Sequence, residues 1–415
     1  MRHMISRTSL GAGAALVVAA MLCLVHGQDT AGTTQPADPQ TIAEGKYLVY
    51  AGDCVACHTA VGGAPFAGGT VINTPFGKLL GPNITPDVAT GIGGWTDDQF
   101  VRAVKYGIGH RDHYLYPGLP YIYFNKVPRA DILKIRAYLA TLPPVNNRIH
   151  ADQLPFPFSI RLGMFGWDLL FFPKTGDYQP DPNQSAEWNR GAYLVQGLGH
   201  CAACHTPKNL LGGDRTHQEL QGAVVNGWNA PPLVNDQHTG LAAWSADDIE
   251  TYLKTGHNAF ADSSGDMADV VTHSTSHLTD ADDKAIAVYL KSLPGSGVAP
   301  LAPIAATDPA MIAGGHIYAD ECAACHTGAG TGLPLIFPAL AVSPIVQAET
   351  PATLLQIVLH GGRSVATTTA PTASAMPAFG GQLTDQEIAD VSTYLRNSWG
   401  NAAPAVSAEQ VAKVR

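Results

Sequence analysis

Three stretches of this 415-residue chain carry two cysteines spaced two apart and followed at once by a histidine: GDCVACHTA (52–60), GHCAACHTP (199–207) and DECAACHTG (320–328). Six of the seven cysteines belong to them: Cys54 and Cys57, Cys201 and Cys204, Cys322 and Cys325, each pair followed by His58, His205 or His326. This spacing suits one chemistry closely. The thiols add to the two vinyl groups of a porphyrin and the adjacent imidazole reaches the iron from the proximal side, which is the attachment pattern of haem c. Two rivals use the same residue types. A structural zinc wants four ligands where each string offers three, and a redox-active C-x-x-C disulfide has no need of the histidine each time. The threefold repeat of the full pattern favours three covalently bound haems c (iron).

Iron in an electron-transfer haem usually takes a second axial ligand, most often methionine, on a loop ahead of a closing helix. Beyond residue 27 the chain holds only Met164, Met267, Met311 and Met376. Met376, in ASAMPAFGG, lies 50 residues after His326, and Met267, in SSGDMADVV, lies 62 after His205. Both are candidate iron ligands, whereas Met311 precedes its own motif and reads as a packing residue. At the matching place after His58 stands Leu119, in HYLYPGLPYIYF. Leucine cannot bind iron. Three outcomes stay open there: coordination by His113 or His110, coordination by Met164, or an iron left five-coordinate or water-bound.

The elements that must position these residues also recur. Each motif ends a helical opening with small residues and an aromatic: AEGKYLVYAGDCVACH, NRGAYLVQGLGHCAACH and IAGGHIYADECAACH. Each block closes on an apolar-periodic helix. Ile132, Ile135, Leu139 and Leu142 share one face in the first, Ile286, Tyr289, Leu290 and Leu293 in the second, Ile388, Val391 and Leu395 in the third. Thr384 with Glu387 reads as a capping box, and Pro143 and Pro294 stop the first two closing helices. An opening helix with haem attached, long loops and a closing helix is the plan of a class I cytochrome c domain. The expectation is an all-α chain of three such domains in tandem. The boundaries are 41–177, 186–293 and 308–400, with YQPDPNQS (178–185) and PGSGVAPLAPIAATDP (294–309) as linkers and 401–415 as a tail holding one short surface helix.

The start of the chain has two positive charges, Arg2 and Arg7, then an apolar run from about Leu10 to Val25. That layout predicts a signal peptide over 1–27 and export, with 28–40 a polar lead-in lacking order; the rival is a retained membrane anchor, for which about 20 apolar residues are needed. The balance of 24 basic and 34 acidic residues, without a basic stripe, excludes nucleic acid as a partner. Charged residues make up 14% of the chain against about 25% in an average soluble protein, so much of its surface is expected to be covered. One candidate for cover is PFPFSIRLGMFGWDLLFFP (155–173), an aromatic cluster that would rest on a membrane or pack between the first two blocks.

Taken together, GDCVACHTAVGGAPFAGG, TPFGKLLGPNITPDVATGIGGWTDDQF, LYPGLPY, LPFPFSIRLGMFGWDLLFF, STSHLTDADDKAIAVYLKSLP and MPAFGGQLTDQEIADVSTYLRNSWG resemble the three-haem cytochrome c subunit of bacterial membrane-associated alcohol, gluconate and related sugar or aldehyde dehydrogenases. The resemblance covers nearly all of the chain after residue 27. It implies that His58, His205, His326, Met267 and Met376 hold iron, and that the family's Tyr-Pro-Ala-Met-Pro-Tyr loop has lost its methionine here, at Leu119. It implies a non-catalytic subunit on the periplasmic side of the inner membrane, in peripheral contact with it. A separate catalytic subunit with a quinone, flavin or molybdenum cofactor oxidises substrate, and this subunit passes electrons to ubiquinone or the respiratory chain. The chain itself shows no dinucleotide-binding G-x-G-x-x-G, serine elbow or paired catalytic carboxylates. The alternative is a catalytic or ligand-binding, peroxidase-like haem protein using an open haem in the first block.

Overall fold

Glycine decides where the helices of this chain meet. A computed structural model describes residues 37–150 and 152–415, so the expected signal peptide and residues 28–36 of the lead-in fall outside the described residues. The end of the lead-in is corrected to helix, with Asp38 as its cap and Pro39 and Gln40 in its first turn. Asp38–Arg415 form one unit. The opening helices are Pro39–Ala51, Ala186–Tyr193 and Pro309–Ile317. They cross the closing helices Arg129–Leu139, Asp280–Ser292 and Asp385–Leu395 respectively. At each crossing a glycine faces a backbone carbonyl. A Cβ on Gly45 would lie 1.9 Å from the oxygen of Lys134, one on Gly191 1.9 Å from that of Ala285, and one on Gly314 2.2 Å from that of Asp390. Four residues past each carbonyl a tyrosine, Tyr138, Tyr289 or Tyr394, brings its own Cβ within about 3 Å of the same point. No residue with a side chain fits.

The helices start where their caps put them. Asp38 and Asp308 cap the first and third opening helices, each with proline in the first turn, and Ser185 caps the second. The expected Thr384–Glu387 capping box is formed, and Thr96–Gln99 and Ser245–Asp248 make two more on the internal helices Asp97–Tyr106 and Ala246–Thr255. The reading of an all-α chain is corrected in one respect. Among the described residues three two-stranded antiparallel pairings are present: Val71–Thr74 with Gly77–Leu80, Ala223–Val225 with Trp228–Ala230, and Gly362–Arg363 with Ala375–Met376. Strands of two to four residues leave almost no period-2 pattern to read.

Buried side chains form two clusters. One runs unbroken from Leu48 and Ile132 in the first block through Leu194, Leu198 and Leu290 in the second. The other holds Tyr318, Leu355, Ile388 and Leu395 of the third. The joint between the first two blocks is also polar. Arg190 donates twice to Asp282, at 2.8 and 2.6 Å, and Tyr47 of the first block donates to the same carboxylate. Tyr193 donates to Asp131 at 2.9 Å and Lys126 to Gln196 at 2.9 Å. Both linkers are tied down: Asn189 holds Asp181 through its backbone, and Ser296 binds the Asp236 carboxylate at 2.8 Å. The segment set apart as a tail is part of the third cluster. Its helix Ala408–Val414 starts at a Ser407–Gln410 capping box and buries Val411 completely, and Val406 is buried too.

The crossing makes a direct prediction. In an exposed helix Gly→Ala gains about 1 kcal/mol of propensity. Gly314→Ala should instead destabilise the haem-loaded protein by about 1–3 kcal/mol through overpacking, read as a lowered unfolding midpoint. A neutral or stabilising outcome would refute the close approach.

Candidate haem centres

Each C-x-x-C-H string folds as a short helix directly below its glycine crossing: Cys54–His58, Ala202–His205 and Ala323–His326. The turn into the first two is made by residues in the left-handed region, Asp53 (φ 50) and His200 (φ 40). In the second and third blocks the opening helix widens before the motif into a five-residue π segment, Leu194–Leu198 and Tyr318–Cys322.

All three motif histidines make the same bond. Nδ1 donates to a prolyl carbonyl: His58 to Pro82 at 2.7 Å, His205 to Pro231 at 2.6 Å, His326 to Pro338 at 3.0 Å. That bond fixes the tautomer and leaves the Nε2 lone pair free for a metal. Burial lowers the pKa of each of the three, which keeps the rings neutral at neutral pH. The sequence reading missed these prolines. They lie 24, 26 and 12 residues past their histidines, so only the threefold recurrence of a proline after the motif signalled them.

All six motif cysteines are free of disulfides. Burial pushes the thiols of Cys54, Cys57 and Cys201 up to about 12 and that of Cys322 to about 11. No three His, Cys, Asp or Glu side chains converge to hold a bare metal ion among the described residues. Neutral thiols flanking a neutral imidazole fit thioether attachment of a porphyrin, with iron on Nε2.

The third block shows the cradle. Cys322, Cys325, His326 and Met376 line one cleft, which is walled by Leu340, Val346, Leu354, Phe379 and Leu395. His326 and Met376 thus line the same largely apolar slot. Residues Phe260–Ser264 of the second block also line it, and Asp262, raised to about 6 by burial, is among them. Met267 sits in the first turn of the helix Asp266–His273, where the neighbouring Asp266 carboxylate acts on the Cys204 thiol. Leu119 is half-buried and packs against the cluster that also takes Cys54 and Val55. Met311 is buried in its opening helix, as a packing residue should be.

The first two motifs abut. The Cδ1 of Leu198 approaches to 3.2 Å of where a Gly52 Cβ would stand, and the ring of Phe124 meets His200 edge-on at 5.4 Å. The Cys204 thiol lies close enough to Cys57 to help raise its pKa, after burial and the charge of Asp53. Beside them Tyr123 donates to Asp214 at 2.7 Å and Lys208 donates to Tyr123 at 3.0 Å.

Comparison with known proteins agrees with this geometry. Residues 309–395 match the family of cytochrome c oxidase, cbb3-type, subunit III. The chain is 40% identical to the gluconate 2-dehydrogenase cytochrome c subunit of Pantoea cypripedii over 91% of this chain and 90% of that one. It is 39% identical to the alcohol dehydrogenase (quinone) cytochrome c subunit of Gluconacetobacter polyoxogenes, over 96% and 88%. It is 36% identical to the fructose dehydrogenase cytochrome subunit of Gluconobacter japonicus, over 94% and 86%. Free, neutral cysteines beside carbonyl-oriented histidines are the donors such proteins need, and the chain belongs to the family of cytochrome c subunits of gluconate, alcohol and fructose dehydrogenases.

Proposed function

We propose that this chain is the three-haem electron-relay subunit of a periplasmic alcohol, sugar or aldehyde dehydrogenase, built as three class I cytochrome c domains in series. The observation that carries it is the histidine-to-prolyl-carbonyl bond, made three times under three glycine crossings. Cys54 and Cys57, Cys201 and Cys204, and Cys322 and Cys325 would hold the porphyrins, and His58, His205 and His326 the irons. Met267 and Met376 would supply the far ligands at the second and third sites. The haem supplies one-electron redox chemistry at each site. The residues of the chain orient the donors, exclude water and bring the sites together: motifs one and two abut, and the second block walls the third cleft. The partner in this reading is a catalytic subunit with its own quinone, flavin or molybdenum cofactor, and the acceptor is ubiquinone or another carrier of the respiratory chain.

Export to the periplasmic side of the inner membrane and peripheral contact with it complete the proposal. No helix among the described residues is long and apolar enough to cross a membrane. The helix Gly163–Phe171 has no buried residue, and Phe156, Leu162, Leu169 and Leu170 are 81%, 71%, 69% and 69% exposed. Both charges of this segment turn inward. Arg161 pairs with Asp152 at 2.6 Å, and Asp168 accepts from Tyr121 at 2.7 Å. Trp167 and Phe171 pack toward the second block, at Leu211 and Gly213, so the inner edge is a joint while the outer edge is left bare. An apolar outer edge without free charge suits the headgroup boundary of a bilayer.

Three outcomes test this. The matured chain alone should carry three haems by mass and oxidise no alcohol, sugar or aldehyde; turnover without a partner would overturn the relay assignment. Met376→Leu should remove the methionine-to-iron absorption band of one haem, and an unchanged band would refute that ligand. Purified protein should sediment with phospholipid vesicles at low and at high salt, and serine at positions 162, 169 and 170 should abolish it. If the unmodified protein stays in solution under both conditions, the patch is not an anchor.

A further inference from the structure

The first and second blocks share one backbone pattern between their haem motifs and their closing helices. The helices Asp97–Tyr106 and Ala246–Thr255 each begin at a capping box and each end on a glycine in the left-handed region, Gly107 (φ 63) and Gly256 (φ 82). A tight hairpin follows in both, closed by the bridges Ile108 to Tyr114 and His257 to Asp262. Immediately after it, the N–H of Leu115 donates to the Gly107 carbonyl at 2.7 Å, and that of Ser263 to the Gly256 carbonyl at 2.7 Å. These matched bonds put Leu115 and Ser263 in register. Four residues on from each stand Leu119 and Met267. One frame therefore presents a thioether in the second block and a bare alkyl chain in the first.

The other candidate donors for this site are His113, His110 and Met164. The His113 ring lies across its own hairpin, its Cε1 2.5 Å from where a Gly109 Cβ would stand. His110 stacks on Trp95 with ring centres 4.9 Å apart. Met164 belongs to the helix Gly163–Phe171, which buries no residue. Around Leu119 the surroundings are apolar: the adjacent Gly118 packs on Leu79, whose Cδ1 would stand 2.4 Å from a Cβ there, and Leu119 itself packs on the core cluster.

We infer that the first haem site has no sixth ligand from the protein and is open, beside Leu119, to a small neutral ligand that binds ferrous iron, such as carbon monoxide. The inference rests on the proposed haem attachment at Cys54, Cys57 and His58. An apolar, partly buried position favours a neutral diatomic over an anion, which would be desolvated without a partner. Substituting methionine for leucine nearly conserves volume, so Leu119→Met is well tolerated and tests the frame directly.

The experiment is a carbon monoxide titration of the full, haem-loaded chain after reduction, with haem counted independently as the pyridine haemochrome. The unmodified protein should take up one equivalent of carbon monoxide per chain. Leu119→Met should lose that uptake and gain a methionine-to-iron band, and Met267→Leu should raise uptake to two equivalents. Three haems with no carbon monoxide uptake would overturn the open site. Uptake unchanged in Leu119→Met would overturn the placement at Leu119. A chain matured with no haem on Cys54 and Cys57 would overturn the attachment reading itself, and the inference with it.

Discussion

Contact between an opening and a closing helix at a single glycine underlies everything else in this chain. With Cβ absent at Gly45, Gly191 and Gly314, one helix rests on the backbone carbonyl of another, and the distance between their axes is set by main chain. The haem motif hangs from the end of the opening helix eight to ten residues later, so its position is fixed by that contact as well. The loop that supplies each prolyl carbonyl packs on the neighbouring core two residues on, through Ile84, Leu233 or Leu340. Widening the crossing by one methyl group would move the motif relative to its proline, and the tautomer control would loosen with it.

The second layer of control is dryness. A neutral imidazole, a protonated thiol and an apolar cleft wall are mutually consistent because burial pushes all three in the same direction. A thioether carries no ionisable proton and so suits a dry site once formed, and the histidine must stay neutral to offer its lone pair. Several polar groups are paired to the protein itself, Lys208 and Tyr123 to Asp214 and Arg190 and Tyr47 to Asp282, whereas Asp53, beside Cys54, leaves Oδ1 without a partner and its carboxyl is pushed well up by burial.

How much of this was legible depends on the range of each signal. The attachment motifs and closing helices were plain, because five contiguous residues or a 3.6-residue period are local patterns. The glycines of AEGKY, NRGAY and IAGGHIY were in view as small residues, but nothing local says that Gly191 will meet the carbonyl of Ala285 more than ninety residues on. Pro82, Pro231 and Pro338 were hidden for the same reason, since a carbonyl acceptor leaves no mark on residue type. The hairpins were too short to pattern. The C-terminal surface helix was read from the spacing of Ser407 and Gln410, and its capping box is formed, yet a single buried valine, Val411, seats it in the third core. Segment 155–173 packs toward the second block at Leu211 and Gly213, as one of its two readings expected.

Series order along the chain does not translate into equal joints. The first two blocks share one apolar cluster, so they hold together by hydrophobic burial over a broad face. The second and third are joined mainly by hydrogen bonds, from Asn229 to Thr353 at 2.6 Å and to the Thr350 carbonyl at 2.9 Å, and between His238 and Gln347. Yet it is at this more polar joint that the two blocks share a site, because Phe260–Ser264 wall the third cleft. Those residues close the hairpin that sets the frame for Met267, three residues beyond Ser264. A change in that loop would therefore act on the far side of the second site and on the wall of the third at once. Sharing a loop keeps the second and third sites adjacent without a large interface, just as sharing a core does for the first and second.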